Sequence, residues 1–84
     1  MTTPRTFLVE AYAPAQSEFD GLLEQARRAG ESHAAGAPVR HVRSILVAED
    51  ETCFHLYEAG SLEAIAQAVS AADIHAQRIV EVRT

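Results

Sequence analysis

The stretch VRHVRSILVAEDETCFHLYEA, residues 39–59, decides the fold. It alternates with strand period, breaks at Glu49-Asp50, and alternates again. This predicts a hairpin of two strands, Val39–Ala48 and Thr52–Glu58, closed by pairing Ala48 with Glu51. That register sets Leu46 opposite Cys53, Ser44 opposite His55, Val42 opposite Tyr57, Ile45 opposite Phe54 and Val47 opposite Thr52. The same count leaves His41 opposite Glu58, as an edge ion pair. A slip of one residue would exchange the two faces, so the register rests on the apolar pattern.

Upstream, Arg5–Tyr12 alternates in the same way and Pro14 ends it. Met1–Pro4 reads as a frayed start. Ser17 reads as a helix N-cap, with Glu18 and Asp20 in the first turn, where the helix dipole favours acids. Phe19, Leu22, Leu23, Ala26 and Ala29 recur at helical spacing. Gly30 weakens the helix near its end, and Gly36–Pro38 closes the connection to the hairpin. Downstream, Ser61 caps a second helix whose buried stripe is Leu62, Ile65, Ala66 and Val69. A fourth strand, Ala76–Arg83, follows Asp73–His75.

The order is strand–helix–strand–strand–helix–strand. Each helix has one apolar stripe to bury, so both must cover the same sheet face. Right-handed crossovers then place the first and third strands at the centre. This is the α+β ferredoxin-like arrangement, with a four-stranded antiparallel sheet under two helices in one domain, 1–84. On this reading one face carries Phe7, Val9, Ile45, Val47, Phe54, Leu56, Val80 and Val82, all apolar. The other carries Glu10, Tyr12, Ser44, Cys53, His55, Tyr57 and Glu81 among Leu8, Val42, Leu46 and Ile79. Such a mixture fits a lined cavity or a dimer interface better than a purely solvated or purely packed surface.

Composition narrows the function classes. With 84 residues, 48% hydrophobic and 23% charged, the chain has ordinary globular composition. A domain this small buries a limited core, and association through a second surface would help, so a homodimer is expected. The net charge of −5 argues against nucleic-acid binding, since the one basic cluster is Arg40 and Arg43. Lys is absent and Ala abundant, which fits a GC-rich bacterial coding sequence. The single Cys53 excludes an intrachain disulfide framework, so a reducing cytoplasm is the expected setting. No charged-then-apolar leader precedes the first strand, and no apolar run has bilayer length, so no membrane partner is expected.

Three segments, FLVEAYAP at Phe7–Pro14, TCFHLYEAGSLEAI at Thr52–Ile65 and RIVEV at Arg78–Val82, resemble small actinobacterial ferredoxin-like proteins known as nickel-responsive or nickel-binding. The signature is a strand carrying Cys53 and Tyr57 that runs into Glu58, Ala59 and Ser61. The resemblance implies a ferredoxin-like fold, usually paired as a dimer, and nickel or another divalent transition metal as ligand. Family members carry a His inside the second helix and a Gly-x-Pro-like stretch after it. Here those regions read Ala68-Val69-Ser70 and Asp73-Ile74-His75, so Val69 offers no donor and His75 is the nearby imidazole.

The residues themselves offer one sharp constellation, Glu10, His55 and Glu81, on neighbouring strands. Two carboxylates and an imidazole suit a borderline divalent metal if coordination positions stay open. They also suit proton transfer in a cofactor-free isomerase, cyclase or monooxygenase of the dimeric α+β-barrel type. There His55 would be the general base and Glu10 its orienter, with Tyr57 or Ser44 holding a substrate oxygen. The structural alternative is an ion-pair network among these residues and Arg83. Tyr57 and Tyr12, with Ser44 and Cys53, would wall a pocket for a small organic ligand or else pack a dimer. Cys53 has no neighbouring base or helix N-terminus to activate it, and reads as a small buried hydrophobe. His33 and His75 lie in loops, without metal-ligand spacing.

Overall fold

The computed structural model describes residues 4–14, 16–31 and 38–83. Expectations for Met1–Thr3, His33 and Gly36 lie outside the described residues. The elements are β1 (Arg5–Tyr12), α1 (Phe19–Gly30), β2 (Val39–Val47), a 3-10 turn (Ala48–Asp50), β3 (Thr52–Ala59), α2 (Leu62–Ala71) and β4 (Ala76–Val82). The strands pair antiparallel in the order β2-β3-β1-β4. This is the ferredoxin-like α+β fold, with β1 and β3 central.

The local signals act mostly where the sequence places them. Ser61 caps α2, its Oγ accepting from the Ala64 N–H at 3.2 Å. Ser17 does not cap α1. Its N–H closes a turn onto the Pro14 carbonyl at 2.8 Å, and Glu18 takes the N-cap position without a side-chain bond. Asp20 in the first turn and Arg27 and Arg28 in the last still complement the α1 dipole. The α2 C-terminus ends on Asp73 in the left-handed region (φ 62°). There the Ile74 N–H donates to the Val69 carbonyl at 2.9 Å. Gln25 of α1 donates to the carbonyls of Ala72 and Asp73 at 2.9 and 3.0 Å, tying the end of α2 to α1. Among the described residues no helix is long and apolar enough to cross a membrane.

The core lies between the helices and one sheet face. Phe7, Val9, Tyr57, Val39 and Ala59 from the strands meet Ala26, Ala29, Ala64, Ile65, Ala68 and Val69 from the helices. The alanines let the helices sit close to the sheet. At the end of α1 the approach is tightest: a Cβ on Gly30 would stand 2.7 Å from both the Cβ and the backbone N of His41. Gly30 is therefore the residue that lets α1 meet β2, and not only a weak helix end.

The structure divides the two faces differently from the alternation pattern. Phe7 and Val9 do face the helices, but they pair with Tyr57 and His55, not with the Phe54 and Leu56 face. Cys53, His55, Tyr57 and Ala59 are all buried under the helices. Phe54, Leu56, Ile45 and Val47 lie on the opposite, uncovered side, where Val80 and Val82 pair with Leu8 and Thr6. On the buried side His55 and Tyr57 have polar partners, the Ser44 hydroxyl and the Ala26 carbonyl, while Ile45, Phe54 and Leu56 stay on the open face. Ile45 remains 47% exposed there.

The hairpin register holds from Val47↔Thr52 through Arg43↔Leu56, then shifts between His41 and Arg43. Val42 is the extra residue of a β-bulge. Beyond it Arg40 stands opposite Glu58, and His41 opposite Tyr57. Arg40, and not His41, therefore makes the edge ion pair with Glu58, its Nε 2.9 Å from Oε1.

Candidate functional site

The bulge sets up the site. In a regular strand residues three apart point to opposite faces. The extra residue at Val42 turns both His41 and Ser44 to the helix side. Ser44 Oγ then lies 2.9 Å from His41 Nε2 and 2.6 Å from His55 Nδ1. The result is a continuous chain, His41–Ser44–His55, running inward across the β2–β3 pair. His55 is 2% exposed, and it is the buried polar side chain of the described core. Cys53 Sγ lies 4.0 Å from the same Nδ1.

Burial governs the protonation of these groups. It holds the His55 ring down to about 4, with a smaller contribution from His41 in the same direction. His55 is therefore neutral at physiological pH. His41 is also held below its usual value, first by burial and then by the Arg27 charge, against the opposing pull of the Arg43 backbone. Burial pushes the Cys53 thiol up, so it rests as a thiol.

A cavity of about 280 Å³ opens beside His55, between α1, the α2–β4 turn and the ends of β1 and β3. Tyr12, Leu22, Gln25, Cys53, His55 and His75 line it. Most of this wall is apolar, with Gln25, His55, Asp73 and His75 among its polar lining residues. A broader hollow of 590 Å³ lies at the other end of the sheet, around Arg40, Glu58 and Ser61. Its Arg40 and Glu58 are paired with each other, so it carries less chemistry.

The sequence constellation does not assemble. Glu10 lies on the open face, opposite Phe54, with its Oε2 3.7 Å from Arg78 Nε. Glu81 sits beside Phe7 and makes two bonds to Arg5, at 2.8 and 3.1 Å. Arg5 holds the Glu81 carboxyl below the usual carboxylate range, chiefly by that hydrogen bond. His55 is buried on the helix side, separated from both. Glu10 is thus not the orienter of His55; Ser44 is.

The pocket residues divide in the same way. Cys53 and His55 line the cavity, with Tyr12 at its rim, 54% exposed. Tyr57 is fully buried and donates from its hydroxyl to the Ala26 carbonyl at 2.8 Å. It anchors α1 to the sheet, and burial, then Cys53, drives its pKa upward. Ser44 bridges the two imidazoles. Sequence reasoning missed His41 as the third member, because a bulge leaves no signature in an alternating pattern. His75, read as a loop residue, stands at the cavity wall.

Among the described residues no three His, Cys, Asp or Glu side chains cluster closely enough to hold a metal ion. The nearest donors, His55 and Cys53, share the Nδ1 side of the ring with Ser44.

The family described as nickel responsive protein SCO4226-like matches residues 7–82. No curated protein and no solved structure matches the chain.

Proposed function

The chain belongs to the nickel-responsive SCO4226-like family, and from that premise we propose a homodimeric binding domain whose ligand lodges beside His55. The observation that carries this reading is the neutral, buried His55 ring, held on one side by Ser44 and bordering a cavity on the other. A ring oriented by a fixed hydrogen bond is pre-organised to recognise a ligand through its remaining nitrogen. The ligand class that suits the wall is a small, mostly apolar organic molecule with one hydrogen-bonding group.

A nickel-type cation is the second reading, and the family match favours it. A neutral imidazole is the form that binds a divalent metal. Since the described residues supply too few clustered donors, water or a second copy would complete the set. In this reading Glu10 and Glu81 stay in their arginine pairs. The cofactor-free enzyme alternative keeps His55 as base, with Ser44 as its partner. A ring titrating near 4 is a weak base at neutral pH, which places that alternative behind binding.

Pairing goes through the open sheet face. Leu8, Phe54, Leu56, Val80 and Val82 form an uncovered apolar patch with Ile45, rimmed by the Glu10–Arg78 and Arg40–Glu58 pairs. Patches of this kind mark interaction surfaces, and alternating charges at the rim suit a second copy of the same chain. A reducing cytoplasm keeps the single buried Cys53 free.

The test is a titration of isotope-labelled protein with nickel(II) chloride and, separately, with benzoate, followed by amide NMR. Perturbations centred on Cys53, His55 and His75 are expected. Perturbations centred on Glu10, Arg78 or Glu81 would overturn the reading.

A further inference from the structure

The His41–Ser44–His55 chain has a property that follows from counting protons. A serine hydroxyl has one proton to donate and lone pairs to accept with. Ser44 Oγ sits between two ring nitrogens, His41 Nε2 and His55 Nδ1. It can donate to only one of them and must accept from the other. Two arrangements satisfy both bonds. In one, His41 Nε2–H donates to Ser44, and Ser44 donates to His55 Nδ1. His55 then carries its proton on Nε2. In the other, His55 Nδ1–H donates to Ser44, and Ser44 donates to His41 Nε2. His55 Nε2 is then a bare lone pair. Nδ1 faces Ser44, so Nε2 is the nitrogen left for the cavity that His55 lines. Among the described residues it makes no hydrogen bond, and it is not sealed from solvent.

We infer that Ser44 and His41 are positioning residues that set the hydrogen-bonding sense of the cavity, so that protonating His41 turns His55 Nε2 from acceptor into donor. A protonated His41 carries N–H on both nitrogens, which leaves the first arrangement alone. No net proton enters His55: one leaves its Nδ1 as another arrives on Nε2 from water. The site then favours an acceptor such as a carboxylate or carbonyl. When His41 is neutral, the second arrangement opens and the site accepts a donor or a cation. This inference deepens the proposed binding role of His55 and rests on it for its consequence, but not for its test.

The surroundings permit this. His41 is half-buried and packs against Gly30 of α1 and the Tyr57 ring of β3, at 5.4 Å between ring centroids. Arg27 of α1 and the Arg43 backbone are the groups that bias its charge. His55 faces Cys53 and Tyr57 on its own strand and His41 and Ser44 on β2. Across the cavity stand Tyr12, Gln25, Asp73 and His75. His55 resists taking a second proton, because burial and His41 both oppose it. His41 is half-buried and His55 fully buried, so His41 is the ring nearer to solvent.

Nitrogen NMR of the imidazole rings in the ligand-free protein reads the tautomer directly. Between pH 8 and pH 5 the His55 signals should shift toward the Nε2–H form in step with His41 titration. In His41→Gln, which does not titrate, the His55 tautomer should be the same at every pH in that range. Ser44→Ala should uncouple the rings, leaving His55 unresponsive while His41 still titrates. An unchanged His55 tautomer during His41 titration in the wild type would overturn the inference, as would an unaltered response in His41→Gln. If the coupling is present but neither benzoate nor nickel binds, the relay stands and the proposed ligand role fails by itself.

Discussion

Lowering the pH from 7 to 5 should destabilise this domain, chiefly through His55. The folded His55 ring titrates near 4, whereas an unfolded histidine titrates near 6.5. Between those values the unfolded state binds more protons, so acid favours unfolding. Stability is full above about pH 7, falls as pH drops through 6.5, and levels off below 4. Single-site linkage over the span from pH 7 to 5 gives a loss of about 2 kcal/mol. For a domain of this length that corresponds to a melting temperature lower by roughly 8–16 °C. The window stops above the range where ordinary carboxylates titrate, and Glu81, held down by Arg5, stays ionised throughout. His41 adds in the same direction. The assay is urea denaturation at closely spaced pH values for wild type and His55→Gln. Glutamine keeps a hydrogen-bonding group for Ser44 but does not titrate. The variant should lose about 2 kcal/mol of the pH dependence, whatever its absolute stability. A variant as acid-sensitive as the wild type would refute the reasoning, because His55 would then not be a buried neutral ring.

Three further outcomes follow from the same geometry. Ser44→Ala removes both bonds of the relay and leaves His55 Nδ1 with only the distant Cys53 sulfur, which should cost about 1–3 kcal/mol in chemical denaturation. Gly30→Ala gains about 1 kcal/mol of helix propensity, but its new methyl meets the His41 backbone at 2.7 Å. Overpacking of about 1–3 kcal/mol should win, giving a net loss in thermal melts together with shifted His41 resonances. Ile45→Glu puts a charge in the open apolar face and should convert a dimer to a monomer in sedimentation without lowering helix content by circular dichroism.

The fold was legible because its signals are local and periodic. The alternation on either side of Glu49-Asp50, the Ser61 cap and the helical spacing of the alanines each specify an element without reference to the rest. The hairpin register from Val47 to Arg43 was legible for the same reason. The faces were not, because hydrophobicity is a poor guide where a sheet buries one side in the fold and leaves the other uncovered. Ile45, Phe54 and Leu56 read as core and lie outside, while His55 reads as lining of the open face and lies inside. Small helix residues such as Ala26 and Ala68 lie close against the buried face, where Tyr57 finds a hydroxyl partner in the Ala26 carbonyl.

The candidate site was legible in part. His55, Ser44 and Cys53 were identified, and the structure brings them together. Glu10 and Glu81 read as sharing a face and neighbouring strands with His55. Glu10 takes the other face, Glu81 lies further along the sheet opposite Phe7, and each carboxylate pairs with an arginine instead. His41 escaped because its position depends on the bulge at Val42. A bulge changes the count by one residue, and the hydrophobic pattern of Val42-Arg43-Ser44 is the same with or without it.

The most direct test of this account compares two variants in nickel and benzoate binding by calorimetry: His55→Gln, and Glu10→Gln combined with Glu81→Gln. The account expects any binding seen in the wild type to be lost in His55→Gln and retained in the carboxylate double variant. Binding that survives in His55→Gln and disappears in the double variant would contradict it, and would return the site to the carboxylates.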